Sequence, residues 1–273
     1  MEKLEAALAK AREMRKSTGG TLQSQHAPVT PKAIPVGDWS SLPEVKLTPA
    51  RMQRNRITAV LGGKNATPYD MLRSRTIRLM REKDWNRLAV TSPGAACGKT
   101  TVSFNLALSL SRQKDLRVML FDLDLRRPAL HRVSGLVPPH SFHEVLDGRV
   151  SFEEQAVRIG ENLILAMNAT ACRNPAELLQ ASRTGEILDE IERTWHPDVM
   201  LFDMSPMLAS DDNVGFLGNV DCALLIAAAE RTTLPNIDIC EKELAQLTNV
   251  LGIVLNKCRY ADKLVGYSYD SYS

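Results

Sequence analysis

The chain has 273 residues, enough for one medium domain with extensions, and its 44% apolar content allows a sizeable core. A formal net charge of +2 gives no electrostatic case for a nucleic-acid partner, and none is expected. The longest purely apolar run, CALLIAAA, is far shorter than the roughly 20 residues that cross a bilayer, so no spanning segment is expected.

Residues 1–16 have the spacing of a short amphipathic helix, with Met1, Leu4, Leu8 and Ala11 on one face. A Ser-, Gly- and Pro-rich stretch without periodicity follows, so 1–66 reads as an N-terminal helix and linker. Between Arg51 and Arg87 ten Lys or Arg face three Asp or Glu. This basic patch fits either a solvated helix face or a contact surface for a partner or anionic lipid. At TPYDMLRSRTIRLMRE a helix is predicted, with Thr67 as cap, Pro68 at the first helical position and Asp70 in the positive first turn.

From Arg87 six short β-rich runs (RLAVTS, LRVMLFD, NLILAM, VMLFD, CALLIA, VLGIVLN) alternate with helical stretches such as TTVSFNLALSLSRQ, TGEILDEIERTW and NIDICEKELAQL. Unbroken apolar strands interleaved with helices predict an α/β fold, a mostly parallel sheet covered on both faces, over a domain at 67–258. Residues 259–273 lack a core-forming pattern and read as a flexible tail. That tail holds Tyr260, Tyr267, Tyr269 and Tyr272, four of the five tyrosines. Five cysteines (Cys97, Cys172, Cys222, Cys240, Cys258) show neither pairing nor metal-ligand spacing. With no signal-peptide pattern, they predict reduced thiols and a cytoplasmic location.

Three stretches carry chemistry. The first strand runs into TSPGAACGKTT and then a helix, a phosphate-binding loop spanning Gly94, Ala95, Ala96, Cys97, Gly98, Lys99, Thr100 and Thr101. Lys99, expected to face solvent, would reach the β- and γ-phosphates of ATP, and the Thr100 hydroxyl would coordinate Mg²⁺. Pro93 stands where such loops usually have their first glycine. In VMLFDLDLRRP, Asp122 and Asp124 emerge two residues apart, hence on one side, at a strand's carboxyl end. Two such carboxylates repel unless a cation separates them. In VMLFDMSPML, Asp203 ends another apolar strand and would hold Mg²⁺ through water. Cys97 lies inside the loop, as a redox-sensitive thiol or simply a small residue. His131, His140 and His143 have no usual metal spacing.

DLDLRRP, VDCALLIAAAERTT and VLGIVLNKCRY resemble the bacterial tyrosine kinases of capsule and exopolysaccharide biosynthesis, over roughly Thr67 to Ser273. The resemblance is to the cytoplasmic kinase component made as a separate polypeptide. It implies a P-loop NTPase fold and an ATP- and Mg²⁺-dependent protein-tyrosine kinase that phosphorylates itself. By position it gives catalytic roles to Lys99, Asp122 and Asp124, metal contacts to Thr100, Asp122 and Asp203, and an adenine contact to Asn256. It implies phosphorylation at Tyr260, Tyr267, Tyr269 and Tyr272. The implied partners are a membrane polysaccharide chain-length or export protein as activator, further copies of the chain in a ring, protein-tyrosine substrates and a cognate phosphatase. The implied location is cytoplasmic, at the inner face of the membrane.

Two positions depart from the family pattern. Ala96 replaces a frequent glycine, and would be strained at positive φ unless Gly94 absorbs the bend. In the ring-assembly motif Glu-x-x-Arg-x-x-Arg, Asp70 and Arg73 fit, but Thr76 stands at the second Arg and Arg75 is one residue early. A Min/Par-like ATPase switch is the alternative, although Gly94 occupies the place of the second lysine such proteins carry. An idle nucleotide-binding adaptor is a third reading.

Overall fold

The apolar runs become strands because each offers β-branched, aromatic or long aliphatic side chains to both faces of a covered sheet. The computed structural model describes residues 37–60 and 62–258. Its strands are β1 (Arg87–Thr91), β2 (Val118–Leu123), β3 (Val157–Ile159), β4 (Leu163–Ala166), β5 (Val199–Met204), β6 (Cys222–Ala228) and β7 (Asn249–Asn256). They form one sheet in the order β3-β4-β2-β5-β1-β6-β7. All pairings are parallel except β3 with β4. All six predicted runs are strands. The seventh, β3, has three residues and escaped the pattern.

The long helices are α1 (Thr67–Lys83), α2 (Lys99–Ser111), α3 (Ser182–Trp195) and α4 (Leu234–Leu247). In α1, Pro68 and Asp70 lie in the first turn, but Ala66 is the N-cap and Thr67 is already helical. The capping role expected of Thr67 is therefore corrected. Helix α2 begins directly after Gly98 and is buried nearly all round, from Val102 through Leu110. A helix hydrophobic on every side belongs inside a protein, and α2 lies against β1, β2 and β5.

Alternation along the strands splits the core in two. Phe121, Phe202, Met119 and Met200 join the cluster with Phe142 and Trp195 on one face. Val118, Leu120, Val199 and Leu201 join Val102 and Phe104 of α2 on the other. Asp122 continues the set containing Val118 and Leu120, so it points to the α2 side.

The stretch from 37 to 60 is not a bare linker. Trp39, Leu42, Met52, Ile57 and Ala59 are buried, Trp39 Nε1 donates to the Trp195 carbonyl at 2.9 Å, and Val45 N donates to Arg158 O at 2.8 Å. Packing thus starts well before the boundary expected at 67. Isolated apolar anchors in a Pro- and Ser-rich segment escape a periodicity search. The amphipathic pattern at 1–16 and the tail at 259–273 lie outside the described residues. No described helix is long and apolar enough to cross a membrane.

Candidate active site

The phosphate loop leaves β1 at the carboxyl edge of the sheet. Ala96 has φ 60, whereas Gly94 is not among the residues with positive φ. The strain feared at Ala96 is therefore present and unrelieved, at about 1–2 kcal/mol for a residue carrying a Cβ. Gly98 has φ 93, and a Cβ there would lie 2.4 Å from Asn256 Nδ2. Only glycine permits that approach. Asn256 Nδ2 donates to the Cys97 carbonyl at 2.9 Å, and Lys257 Nζ donates to the Ala96 carbonyl at 2.7 Å. The residues ending β7 thus clamp the loop from behind. Asn256, expected beside adenine, has its amide engaged with the loop backbone. Cys97 is 3% exposed, its Sγ 3.6 Å from Thr232 Oγ1, which suits a small packing residue better than a redox sensor.

Lys99 does not face solvent. Its ammonium sits 2.6 Å from Asp124 Oδ2, with the two side chains 11% and 7% exposed. Burial pulls the Lys99 pKa down, but Asp203, Asp124 and Asp122 outweigh it and leave it above the ordinary value. Asp124 Oδ1 accepts from Arg127 N at 3.1 Å, so both oxygens have partners.

Asp122 and Asp203 occupy matched positions on the neighbouring strands β2 and β5. Asp122 Oδ2 accepts from Ala129 N at 3.2 Å and Leu130 N at 3.1 Å. Asp203 Oδ1 accepts from Ser103 Oγ of α2 at 3.1 Å. Asp122 Oδ1 and Asp203 Oδ2 are buried without a partner. Burial, then the Asp203 charge, pushes Asp122 well above the usual carboxylate range. Burial raises Asp203 as well, against the pull of Lys99. Two buried acids with one orphaned oxygen each, beside the Thr100 hydroxyl, fit Mg²⁺, which binds through one or two carboxylates and keeps its waters.

Residues that the motifs did not single out hold this edge together. Arg126 makes a two-point contact with the wholly buried Asp212, both bonds at 2.9 Å, tying the loop after β2 to the segment after β5. Asn168 Nδ2 donates to the Asp122 carbonyl at 2.6 Å. The sequence signal was polar residues interrupting buried segments, as Ser103 and Asn105 do in α2. His131, His140 and His143 take part in no cluster of three metal-binding side chains among the described residues. The basic stretch 51–87 is partly spent internally: Arg51 on the Gly135 carbonyl, Arg73 on Asp70, and Arg87 on Asp189 and Glu192.

The profile of the CobQ/CobB/MinD/ParA nucleotide binding domain matches residues 88–266. This chain belongs to that family. Within it, the chain is similar to the tyrosine-protein kinase Wzc of Salmonella typhi, 27% identical over 248 residues, covering 88% of the chain and 34% of the relative. It is also similar to the solved kinase domain of the Escherichia coli tyrosine kinase Etk, with 26% identity, a TM-score of 0.70, and coverage of 86% of this chain and 93% of that one. The cell division ATPase MinD of Pyrococcus furiosus, at 23% identity and a TM-score of 0.53, shares the fold. The chain spans about a quarter to a third of the length of the curated relatives it matches.

Proposed function

We propose that the protein is an ATP- and Mg²⁺-dependent protein-tyrosine kinase that phosphorylates itself and regulates exopolysaccharide or capsule polymerisation and export. The observation that carries this is Asp124, a third acid that reaches Lys99 from just past the end of β2, the strand beside the one that bears Asp203. Any hydroxyl that attacks the γ-phosphorus must give up its proton, and a phenol, whose pKa is near 10, attacks well only when a positioned acid such as Asp124 takes it. The likeness to the Etk kinase domain supports the same reading.

The division of labour follows from which oxygens are occupied. Thr100, Asp122 and Asp203 would hold Mg²⁺, which when bound neutralises charge on the phosphates. Gly94 through Thr101 would cradle the phosphates with backbone N–H groups at the start of α2. Lys99 pairs with Asp124 here, and incoming phosphates would compete for its ammonium. Released from Lys99, Asp124 Oδ2 becomes free to accept the tyrosine proton. The tyrosine oxygen then bonds to the γ-phosphorus, the bond to the leaving oxygen breaks, and ADP departs.

The acceptors in this reading are Tyr260, Tyr267, Tyr269 and Tyr272. Each phosphate adds about −1.5 to −2 charges, so a modified tail would be repelled by the acids it had visited. A membrane polysaccharide chain-length or export protein would act as activator, drawing the chain to the inner face of the membrane. Assembly into a ring, other tyrosine substrates and a cognate phosphatase belong to the same proposal. Asp70 already serves Arg73, Arg112 and Ser109 within one chain, so a ring would have to reuse or break these contacts.

Purified protein incubated with γ-labelled ATP and Mg²⁺ tests the activity. Acid-stable label on tyrosine supports the kinase. Free phosphate alone would make the chain a Min/Par-like switch, and neither product would leave a nucleotide-binding adaptor.

A further inference from the structure

Beside the phosphate loop, at the carboxyl ends of β6 and β7, lies a cavity of about 480 Å³. Arg56, residues 228–231, Lys257 and Cys258 line it. Its volume falls in the range of small-ligand sites. Lys257 is shared between this cavity and the loop, because its ammonium holds the Ala96 carbonyl. A nucleotide whose phosphates rest in the loop therefore has this cavity next to it.

Arg56 comes from the segment before the family domain, and the fold goes to some length to hold it. The buried Asn105 of α2 accepts from Thr58 N at 2.8 Å and Ala59 N at 3.0 Å. Asn105 Nδ2 also donates to the Arg56 carbonyl at 3.1 Å and to the Thr101 carbonyl at 2.8 Å. One side chain thus ties Arg56 to the last residue of the phosphate loop. Ile57, next in sequence, is fully buried. Arg56 itself has φ 59, a left-handed conformation that costs a residue with a Cβ some strain. Backbone strain of this kind concentrates at ligand clamps. Among the described residues no hydrogen bond or ion pair engages the guanidinium of Arg56, whereas Lys257 is already committed to the loop.

We propose that Arg56 closes the base end of the nucleotide site, its planar guanidinium stacking on the purine ring that occupies this cavity. A guanidinium is weakly hydrated and stacks on aromatic faces, which an ammonium does less well. This rests on the reading of the loop as a nucleotide site, and it adds a contact from outside the region that the family profile matches.

The test uses the full chain and two probes, ADP and inorganic triphosphate, with binding measured by calorimetry in Mg²⁺. Arg56→Gly suits the left-handed backbone, so it removes the side chain without adding strain; Arg56→Lys keeps the charge and removes the plane. ADP affinity should fall about tenfold in Arg56→Gly and by a smaller factor in Arg56→Lys, while triphosphate affinity stays unchanged in both. Unchanged ADP affinity would overturn the proposal. Equal losses for ADP and triphosphate would also overturn it, because Arg56 would then be a general phosphate attractor. A wild-type chain that binds neither probe would remove the nucleotide site itself, and this inference with it. A wild-type chain that binds triphosphate alone would leave the loop standing and reject the base contact.

Discussion

Strands β2 and β5 begin with the same five residues, Val-Met-Leu-Phe-Asp, at 118–122 and 199–203. They lie side by side in matched register, Val118 against Val199 through Asp122 against Asp203. Phe121 and Phe202 stack with centroids 5.0 Å apart on one face, while the two acids share the other. The same pentapeptide makes the same strand twice, because what it encodes is burial on both faces. Function diverges in the next few residues. After Asp122 the chain reads Leu-Asp-Leu-Arg, which adds Asp124 beside Lys99 and Arg126 on Asp212. After Asp203 it reads Met-Ser-Pro, which adds no acid. In the proposed mechanism the matched pair would hold the cation, and the extra acid just past β2 would take the proton.

The largest expected effect comes from the residue that faces both strands. Lys99→Met should cut tyrosine labelling at least about 10³-fold, since the transferred phosphoryl loses its main fixed cation. It should also lower stability, because Asp124 is left buried with one backbone partner. A loss of about 3 kcal/mol, or several degrees in Tm, is expected in thermal melts. An unchanged Tm would mean the Lys99–Asp124 pair contributes nothing to the resting fold.

A smaller effect sharpens the likeness of the two strands. Asp122→Asn and Asp203→Asn each remove one of two repelling buried carboxylates. Each should therefore raise the Tm of the ligand-free protein by a few degrees. Each should also erase the extra stabilisation that Mg²⁺ adds to ADP. Melts with ADP, with and without Mg²⁺, check this; opposite signs for the two variants would break the matched-pair picture.

Much of this arrangement was legible in the sequence, for a physical reason. A strand buried on both faces announces itself as an unbroken apolar run, and an acid ending such a run is conspicuous. What stayed hidden depends on contacts between distant segments. Nothing local tells that Lys99 folds onto Asp124, or that Asp212, one of two adjacent aspartates, is wholly buried and paired with Arg126. Trp39 and Met52 are single anchors whose partners lie far along the chain, so no period marks them. Strand β3 has three residues and pairs antiparallel with β4, too short to show alternation.

The smallest effect concerns an acid outside the pair, and serves as a baseline for it. Burial acts to raise Asp70, but the Ser109 hydroxyl and the charges of Arg112 and Arg73 outweigh it and hold the carboxyl below its ordinary value. A depressed acid contributes stability above its unfolded pKa and loses it as pH falls through the folded one. Asp70→Asn should therefore lower Tm by about 1–2 °C at pH 7, as expected for a solvent-screened pair. The gap should close as the medium is acidified below the ordinary carboxylate range. A gap that widened in acid would reverse the assigned sign.

Asp124 is the acid that sets the end of β2 apart from the end of β5. Asp124→Asn keeps the shape of the side chain and leaves Asp122, Asp203 and Thr100 in place. In one preparation of this variant, Mg²⁺·ATP affinity is measured by calorimetry and tyrosine labelling by mass spectrometry of the tail. Binding should stay within a few-fold of wild type while phosphate on Tyr260, Tyr267, Tyr269 and Tyr272 falls by about 10²–10⁴. Labelling at the wild-type rate, or binding and labelling lost together, would contradict the assignment of Asp124 as the proton acceptor.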